Sequence, residues 1–455
     1  MSLEVVILAA GQGSRMRSSL PKVLHQLAGK PLLQHVIDSA QELSPAVIHV
    51  VIGHGADQVR SAFGEQPLSW VEQRQQLGTG HAVLQALPAI GEESTVLVLY
   101  GDVPLVSASS LQALVSAAAD APALLTANLE DPSGYGRVLR DADGAFMAVV
   151  EHKDASASER AVGEVNTGIL AAPARLLQRY LPRVGNSNQQ QEYYLPDVLS
   201  LAVADGVAVH TASAANPLQV MGVNDQLQLS QVERELQRLR AEALMRAGVR
   251  LADPARIDIR GSLQCGRDVY IDVNCVFTGD VVLGDGVTVG PNCFLRDTTI
   301  GDGSEICAMS HLQSASVGSA CTVGPYARLR PGTCLGDEAR VGNFVETKKA
   351  TIGPGSKVNH LSYVGDCEMG AGVNIGAGTI TCNYDGVNKH ITRIGDGAFV
   401  GSNATLVAPV EIGADGFVAA GSTITRQVAT AELAVGRGKQ RNIQGWTRPG
   451  KTDKD

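Results

Sequence analysis

The stretch "LAAGQGSRM", residues 8–16, closes an aliphatic run (Val5, Val6, Ile7) with glycines whose unhindered amides can cradle an oxyanion, and with a guanidinium, Arg15. Its continuation "RMRSSLPKVLH" adds a second cation, Lys22. It is not a P-loop, because Ser14 and Arg15 follow Gly13 and no GK[ST] occurs; nor is it a dinucleotide fingerprint, because Met16 stands at the place of the third glycine. Two cations beside a ring of amides suit a polyphosphate. "YGDVP" offers Asp102, a hard oxygen donor of the kind Mg²⁺ prefers.

These groups need a scaffold that brings them together. In the first half, strand-like runs ("EVVILAA", "AVIHVVIG", "STVLVLYGD") alternate with helical stretches such as "PLLQHVIDSAQEL" and "SASSLQALVSAAAD", which predicts an open, Rossmann-like α/β sheet. Ligands of such sheets sit beyond the carboxyl ends of the strands, where both "AAGQGSRM" and "YGDVP" begin. The two segments can therefore face one site. The 455 residues allow two or three domains, and a net charge of −9 with only 4% aromatics argues against a nucleic-acid surface. The absence of a leader-like start or a long apolar run predicts a soluble, cytoplasmic protein that spans no membrane.

The second half is written in another period. From Ile259 the chain divides into hexads led by an aliphatic or small residue: "IRGSLQ", "CGRDVY", "IDVNCV", then "VGPYAR", "LGDEAR", "VGNFVE", "IGPGSK", "VGSNAT". Such a repeat resembles that of the left-handed parallel β-helix, in which three hexads make one triangular coil and nine or ten coils stack. The eight cysteines all fall at or after Cys265 and form no CxxC pair, so they are expected to be small, buried, reduced fillers rather than metal ligands. The period fails over "TCNYDGVNKHITR", residues 381–393, which predicts a loop expelled for recognition. Ahead of the repeat, Leu227, Leu229, Val232, Leu236, Leu239 and Leu244 form the apolar stripe of a long connecting helix.

The signature LAAG-x-G-[ST]-R-M with a following PK closely resembles that of the nucleoside-diphosphate-sugar pyrophosphorylases. The resemblance implies that Leu8, Ala9, Ala10, Gly11, Tyr100 and Gly101 border the nucleotide, with Arg15 and Lys22 as catalytic cations. It also implies that Gln73 in "EQRQQLGTGHAV" faces a uracil edge beside the Gly78–Thr79 backbone. Asp102 and Asn224 of "MGVNDQLQL" would bind Mg²⁺, and Gly136, Glu151 and Asn166 the sugar and ribose. Two departures occur in the loop: Ser14 for the family's usual Thr, and Gln12 where many members carry Lys, which implies altered triphosphate affinity rather than lost activity.

Taken whole, the chain resembles the bacterial bifunctional N-acetylglucosamine-1-phosphate uridylyltransferase/glucosamine-1-phosphate acetyltransferase family. "ARLRPG", "GNFVETKKA", "KVNHLSYVGD", "NIGAGT" and "CNYDGVNKH" carry this second resemblance. His360 matches the general base, and a neutral imidazole suits the removal of a proton from an attacking amine. Arg330, Lys348, Tyr363, Asn374, Asn383 and Tyr384 match sugar-phosphate and acetyl-CoA positions, and Ala377, Ser402, Ala420 and Arg437 match further cofactor contacts. Lys389 is a further candidate cation, and "KVNHL" departs from the common "KAGHL". The implied organisation is a pyrophosphorylase domain over 1–226, a linker helix over 227–247 and a β-helical acetyltransferase over 248–455. The implied substrates are glucosamine 1-phosphate, acetyl-CoA and UTP with Mg²⁺, the product is UDP-N-acetylglucosamine for cell-wall and lipopolysaccharide synthesis, and the assembly is a homotrimer.

Overall fold

A computed structural model describes residues 2–214 and 216–450. The chain divides into two compact units, Met1–Arg238 and Leu239–Asp455. The division falls inside the long helix Gln226–Arg246, so that helix contributes to both.

In the first unit the aliphatic runs form parallel strands β1 (Leu3–Ala9), β2 (Val47–Ile52), β3 (Ser69–Glu72) and β4 (Thr95–Tyr100). They continue with β5 (Ala123–Asn128), the hairpin β6 (Arg137–Arg140) and β7 (Phe146–Val150), then β8 (Glu164–Pro173) and β9 (His210–Ser213). The sheet order is β9-β5-β8-β4-β1-β2-β3, with the hairpin attached to β8. β1 lies between β4 and β2 with Val5, Val6 and Ile7 fully buried, because a strand covered on both faces must be apolar on both. The sheet is mixed rather than wholly parallel: β8 runs antiparallel to both β4 and β5. Its register against β5 slips between Asn166 and Leu170, around Gly168 at φ 82°.

The second unit is the parallel β-helix. Val323 pairs with Val341 and Val341 with Val358, so one coil takes 17 or 18 residues and the leading aliphatics stack inward. Among the described residues one sheet counts eleven strands, from Arg250–Leu251 to Leu433–Ala434, so the stack starts earlier and runs longer than the nine or ten expected coils. Ile375 then pairs with Val400, and the extra residues of that coil are the expelled loop. It is shorter than its sequence suggests, because Cys382 still pairs with Val407, and Thr392 starts the strand Thr392–Ile394. The loop proper is therefore 383–391. Two further expectations need correction. Leu227 is exposed while Val232 is buried, because the helix turns its stripe away from its first turn. Cys334 is exposed, unlike Cys275, Cys293, Cys321 and Cys367, because it takes the last place of its hexad, an outward position just before the buried Leu335 that leads the next; all eight thiols are free.

Candidate active sites

Gly13 starts the first site. Its φ of 62° is left-handed, and a methyl group on it would lie 2.8 Å from the Lys22 Cβ, so only glycine lets the loop close over that lysine. Met16, at the place of a third glycine, is buried with Leu27, Leu32, Leu105, Val223 and Val232 and pins the loop to the helix Gln226–Arg246. Lys22 is thereby aimed at the end of β4. Its ammonium contacts Asp102 Oδ2 and lies 3.2 Å from Asn224 Oδ1, which also accepts from Arg15 at 2.9 Å. Asn224 is held by its own amide, which donates to Gln228 Oε1 at 2.7 Å, and its neighbour Val223 donates to the Asp102 carbonyl at 2.8 Å. Two cations and two hard oxygens thus converge from segments about 200 residues apart.

A cavity of about 220 Å³ opens beside this cluster. Leu8, Ala9, Ala10, Gly11, Lys22, Gln73, Gly78, Thr79, Tyr100 and Asp102, which the family resemblance implies at a nucleotide and its metal, line it together with Val23, Gln76, Ala82 and Glu192. Glu192 was not legible; its segment is brought in by Gly80, whose amide donates to the Tyr193 carbonyl at 2.8 Å. Gly78 precedes the helix Thr79–Ala86 at φ 110°, and a methyl group there would strike the Tyr193 backbone at 2.6 Å. The Gly101 amide donates to the Leu8 carbonyl at 2.9 Å, locking the strand ends rather than lining the cavity. Arg15 also stands outside the lining, joined to it through Asn224.

Gly136, Glu151 and Asn166 form a second cluster around the β8 irregularity. Asn166 donates its backbone N–H to the Gly136 carbonyl at 2.8 Å, and its Oδ1 accepts from the Gly168 N–H at 2.8 Å. A methyl group on Gly136 would lie 2.9 Å from Glu151 Oε1, so glycine makes room for that carboxyl. Burial, and then the nearby Asp197 and Asp154 carboxylates, raise the Glu151 pKa; Asn166 opposes the rise by donating to it. Burial and Asp154 push Asp197 up to about 6. Tyr100 links this cluster to the cavity: its ring would be 2.6 Å from a methyl on Gly168, and its hydroxyl, raised by burial, meets Thr79.

On the β-helix, parallel pairing places Glu346 beside Tyr363 and Lys348 beside Gly365 on one face. Glu346, which the sequence did not single out, holds Arg330 at 2.7 Å. Lys348 has its pKa lowered first by contact and repulsion from Lys389, with Arg330 adding to the repulsion and Asp366 opposing it. Asp366 in turn accepts from the Asn383 amide. Three cations, Arg330, Lys348 and Lys389, crowded beside two carboxylates, Glu346 and Asp366, leave one positive charge unmet, which is what an incoming phosphate requires. The expelled loop supplies Asn383, Tyr384 and Lys389, and a bridge between Tyr384 and Lys389 closes it. His360 stands on the adjoining sheet and is exposed; its Nδ1 is 3.0 Å from Asn343 Oδ1, its ladder neighbour one coil back. Asn343 was legible only once a coil was known to take 17 residues. No hydrogen bond links His360 to Arg330, Lys348 or Asn383 among the described residues, so one chain presents the imidazole and the cations on neighbouring faces. Asn374 lies on the His360 sheet opposite Lys357. Ala377, Ser402 and Ala420 stack at one corner: Asn403 donates to the Ala377 carbonyl, Gly421 to that of Ser402, and Arg437 to that of Ala420 at 2.7 Å.

A cavity at the strand ends of an α/β unit bordered by cations and hard oxygens, followed by a hexapeptide β-helix bearing an exposed imidazole and its own cations, is the arrangement of a two-domain transferase. A MobA-like NTP transferase domain matches residues 5–164, a GMPPB C-terminal domain 259–363, and a bacterial transferase hexapeptide (six repeats) 391–426. "Bifunctional protein GlmU" of Marinobacter nauticus is 57% identical over 99% of this chain and 99% of its own length; that of Cellvibrio japonicus is 58% identical over 98% and 99%. That of Pseudomonas putida is 56% identical over the whole of both chains. The chain belongs to the GlmU family of bifunctional proteins.

Proposed function

We propose that the chain makes UDP-N-acetylglucosamine in two steps at two separate sites. The observation that carries the first-unit reading is the convergence of Arg15, Lys22, Asp102 and Asn224 at the mouth of the cavity lined by Gln73, Gly78 and Thr79.

In the β-helix the amine of glucosamine 1-phosphate attacks the thioester carbonyl of acetyl-CoA. The N–C bond forms, the C–S bond breaks, the amine proton passes to His360, and CoA leaves as its thiol. Asn343 supports this role: with Nδ1 donating to its Oδ1, the free lone pair of the neutral ring sits on Nε2. Arg330, Lys348 and Lys389 hold the phosphate, Tyr363, Asn374, Asn383 and Tyr384 the sugar and acetyl ends, and the Ala377–Ser402–Ala420 corner with Arg437 the cofactor.

In the first unit a phosphate oxygen of N-acetylglucosamine 1-phosphate attacks the α-phosphorus of UTP. The bond to the β-phosphate breaks, and pyrophosphate leaves. Arg15 and Lys22 offset the charge that spreads over the transferring group, where positioning and electrostatics do most of the catalysis. Gly136, Glu151 and Asn166 seat the sugar. The Lys22 ammonium already occupies a point between the Asp102 and Asn224 oxygens, so the pair fits a hard divalent cation such as Mg²⁺. When bound there, that ion would neutralise phosphate charge; with only two protein oxygens, its other ligands would be phosphate and water. Among the described residues no group of three His, Cys, Asp or Glu forms a metal cluster of its own.

The assembly we infer is a homotrimer through the β-helix. Met309, Tyr326, Phe344 and Leu361 form a column of exposed apolar side chains, each at left-handed φ and one coil apart; the Tyr326 and Phe344 rings stack at 5.2 Å. Such a ridge favours cover by further copies of the chain. It ends at Leu361, next to His360, which supports an acetyl-transfer site completed between prisms. No helix among the described residues is long and apolar enough to cross a membrane, and the eight free thiols support a reducing cytoplasmic setting. The test is simultaneous release of CoA thiol and pyrophosphate from glucosamine 1-phosphate, acetyl-CoA, UTP and Mg²⁺.

A further inference from the structure

Gln73 carries the base-facing amide expected from the sequence, and its surroundings decide which end of that amide meets the base. The residue is 3% exposed and sits just past β3, its backbone N–H donating to the Ile52 carbonyl at 2.8 Å. Its Nε2 lies 3.1 Å from the Gly78 carbonyl and 3.0 Å from His81 Nδ1. A carbonyl oxygen only accepts, so the nitrogen end must be the one turned inward. The two amide hydrogens then have two acceptors, provided that His81 is neutral with its lone pair on Nδ1 and its proton on Nε2. The exposed Gln85 amide, whose nitrogen lies 3.3 Å from His81 Nε2 and 3.4 Å from the His81 carbonyl, can turn end for end toward that tautomer, giving up only the long carbonyl contact. The Gly78 carbonyl also accepts the Ala82 N–H at 3.1 Å, so the first turn of the helix Thr79–Ala86 fixes both anchors. What remains for the cavity is the Gln73 oxygen, to which no described side chain donates.

We propose that His81 is a positioning residue for base specificity: with the Gly78 carbonyl it locks the Gln73 amide so that an acceptor, never a donor, faces the nucleobase. An acceptor there matches the N3–H of uracil and opposes the N3 lone pair of cytosine. Without the Nδ1 acceptor, one amide hydrogen has no buried partner, and the flipped amide, which turns a donor to the base, becomes competitive. The proposal rests on the reading of this cavity as a UTP site.

The test compares kcat/KM for UTP and CTP, by pyrophosphate release with N-acetylglucosamine 1-phosphate, in the wild type, His81→Phe and His81→Asn. Phe keeps a ring against Tyr193, whose centroid is 6.4 Å from that of His81, but accepts nothing. Asn discards the ring and places an amide oxygen close to the position of Nδ1. His81→Phe should lower the UTP-to-CTP preference by about tenfold or more, chiefly through KM for UTP, and His81→Asn should restore it to within a few-fold of wild type. His81→Leu replaces the Phe variant should that ring not be accommodated. Equal losses with both nucleotides and an unchanged ratio, or an Asn variant that discriminates no better than Phe, would overturn the role of His81. A wild-type enzyme that releases no pyrophosphate from UTP would instead overturn the cavity's assignment.

Discussion

In the proposed mechanism, Lys22 has two roles at one point in space. Its ammonium satisfies Asp102 and Asn224 and, in that mechanism, is available to a phosphate once substrate binds, so its removal would leave a part-buried carboxylate unmatched as well as a transition state uncompensated. Lys22→Ala should lower kcat for pyrophosphate release by roughly 10²- to 10³-fold, the range seen when one preorganised donor is lost. In the β-helix, His360→Ala should lower CoA release by about 10²- to 10⁴-fold, and Asn343→Leu by a smaller factor, because the imidazole then loses its fixed tautomer but not its basicity. Steady-state rates at saturating substrate check both. A separate effect concerns Asp197, whose carboxyl is raised from 3.8 to about 6 by burial and then by Asp154. An acid raised in the folded state stabilises the fold fully below its unfolded pKa and ceases to do so as pH climbs through 6. Asp197→Asn should therefore melt a few degrees higher than wild type at pH 8, with the gap closing toward pH 4, as differential scanning calorimetry would show. Residue types were the most legible layer: guanidinium, ammonium and carboxylate advertise their chemistry. Glu192 stayed hidden because only folding brings its segment to the cavity, and Asn343, Glu346 and Asp366 because each acts on a partner one coil away.

Elements were legible where a period exists and not where one ends. The aliphatic hexads identify the inward ladders because one coil repeats the same corner, yet Thr333, Thr347, Thr379 and Thr381 are as buried as the valines. Their hydroxyls bond within the coil stack, as Thr381 does by accepting the Gly365 N–H at 2.8 Å, so a hydrophobic count misses them and sets the expelled loop too early. The α/β sheet shows the same limit: alternation does not reveal that β8 runs antiparallel and slips in register around Gly168, which is how Asn166 reaches Glu151. Gly78 tests the positioning of an element most simply. Gly78→Ala combines an unfavourable φ of 110° with a 2.6 Å clash against Tyr193, so it should raise KM for UTP severalfold or more and lower the melting temperature of the first unit, while CoA release is retained.

At the scale of the molecule, two compact units carry chemistries in which the product of one is the substrate of the other, with no proposed site residue in common. Among the described residues the β-helix has one continuous hydrophobic core and the first unit three clusters, and the long helix Gln226–Arg246 sends Val232 into the cluster around Met16 and Ala241 into the β-helix core. The apolar column on the β-helix is the face through which the proposed trimer would form. Phe344→Asp places a charge in the middle of that ridge, so sedimentation equilibrium should show the wild type as a trimer and the variant shifted to monomer. CoA release should fall with it, while pyrophosphate release from pre-acetylated sugar stays near wild type. Retention of a trimer by the variant would move the interface elsewhere.

The central claim is that two independent sites act in sequence, and it is tested most directly by following CoA thiol and pyrophosphate together in wild type, His360→Ala and Asp102→Ala. Wild type should release both from glucosamine 1-phosphate. Asp102→Ala should release CoA without pyrophosphate, and His360→Ala should release pyrophosphate only when supplied with N-acetylglucosamine 1-phosphate. Pyrophosphate from pre-acetylated sugar with no CoA thiol from the wild type would contradict the account, leaving the β-helix a scaffold.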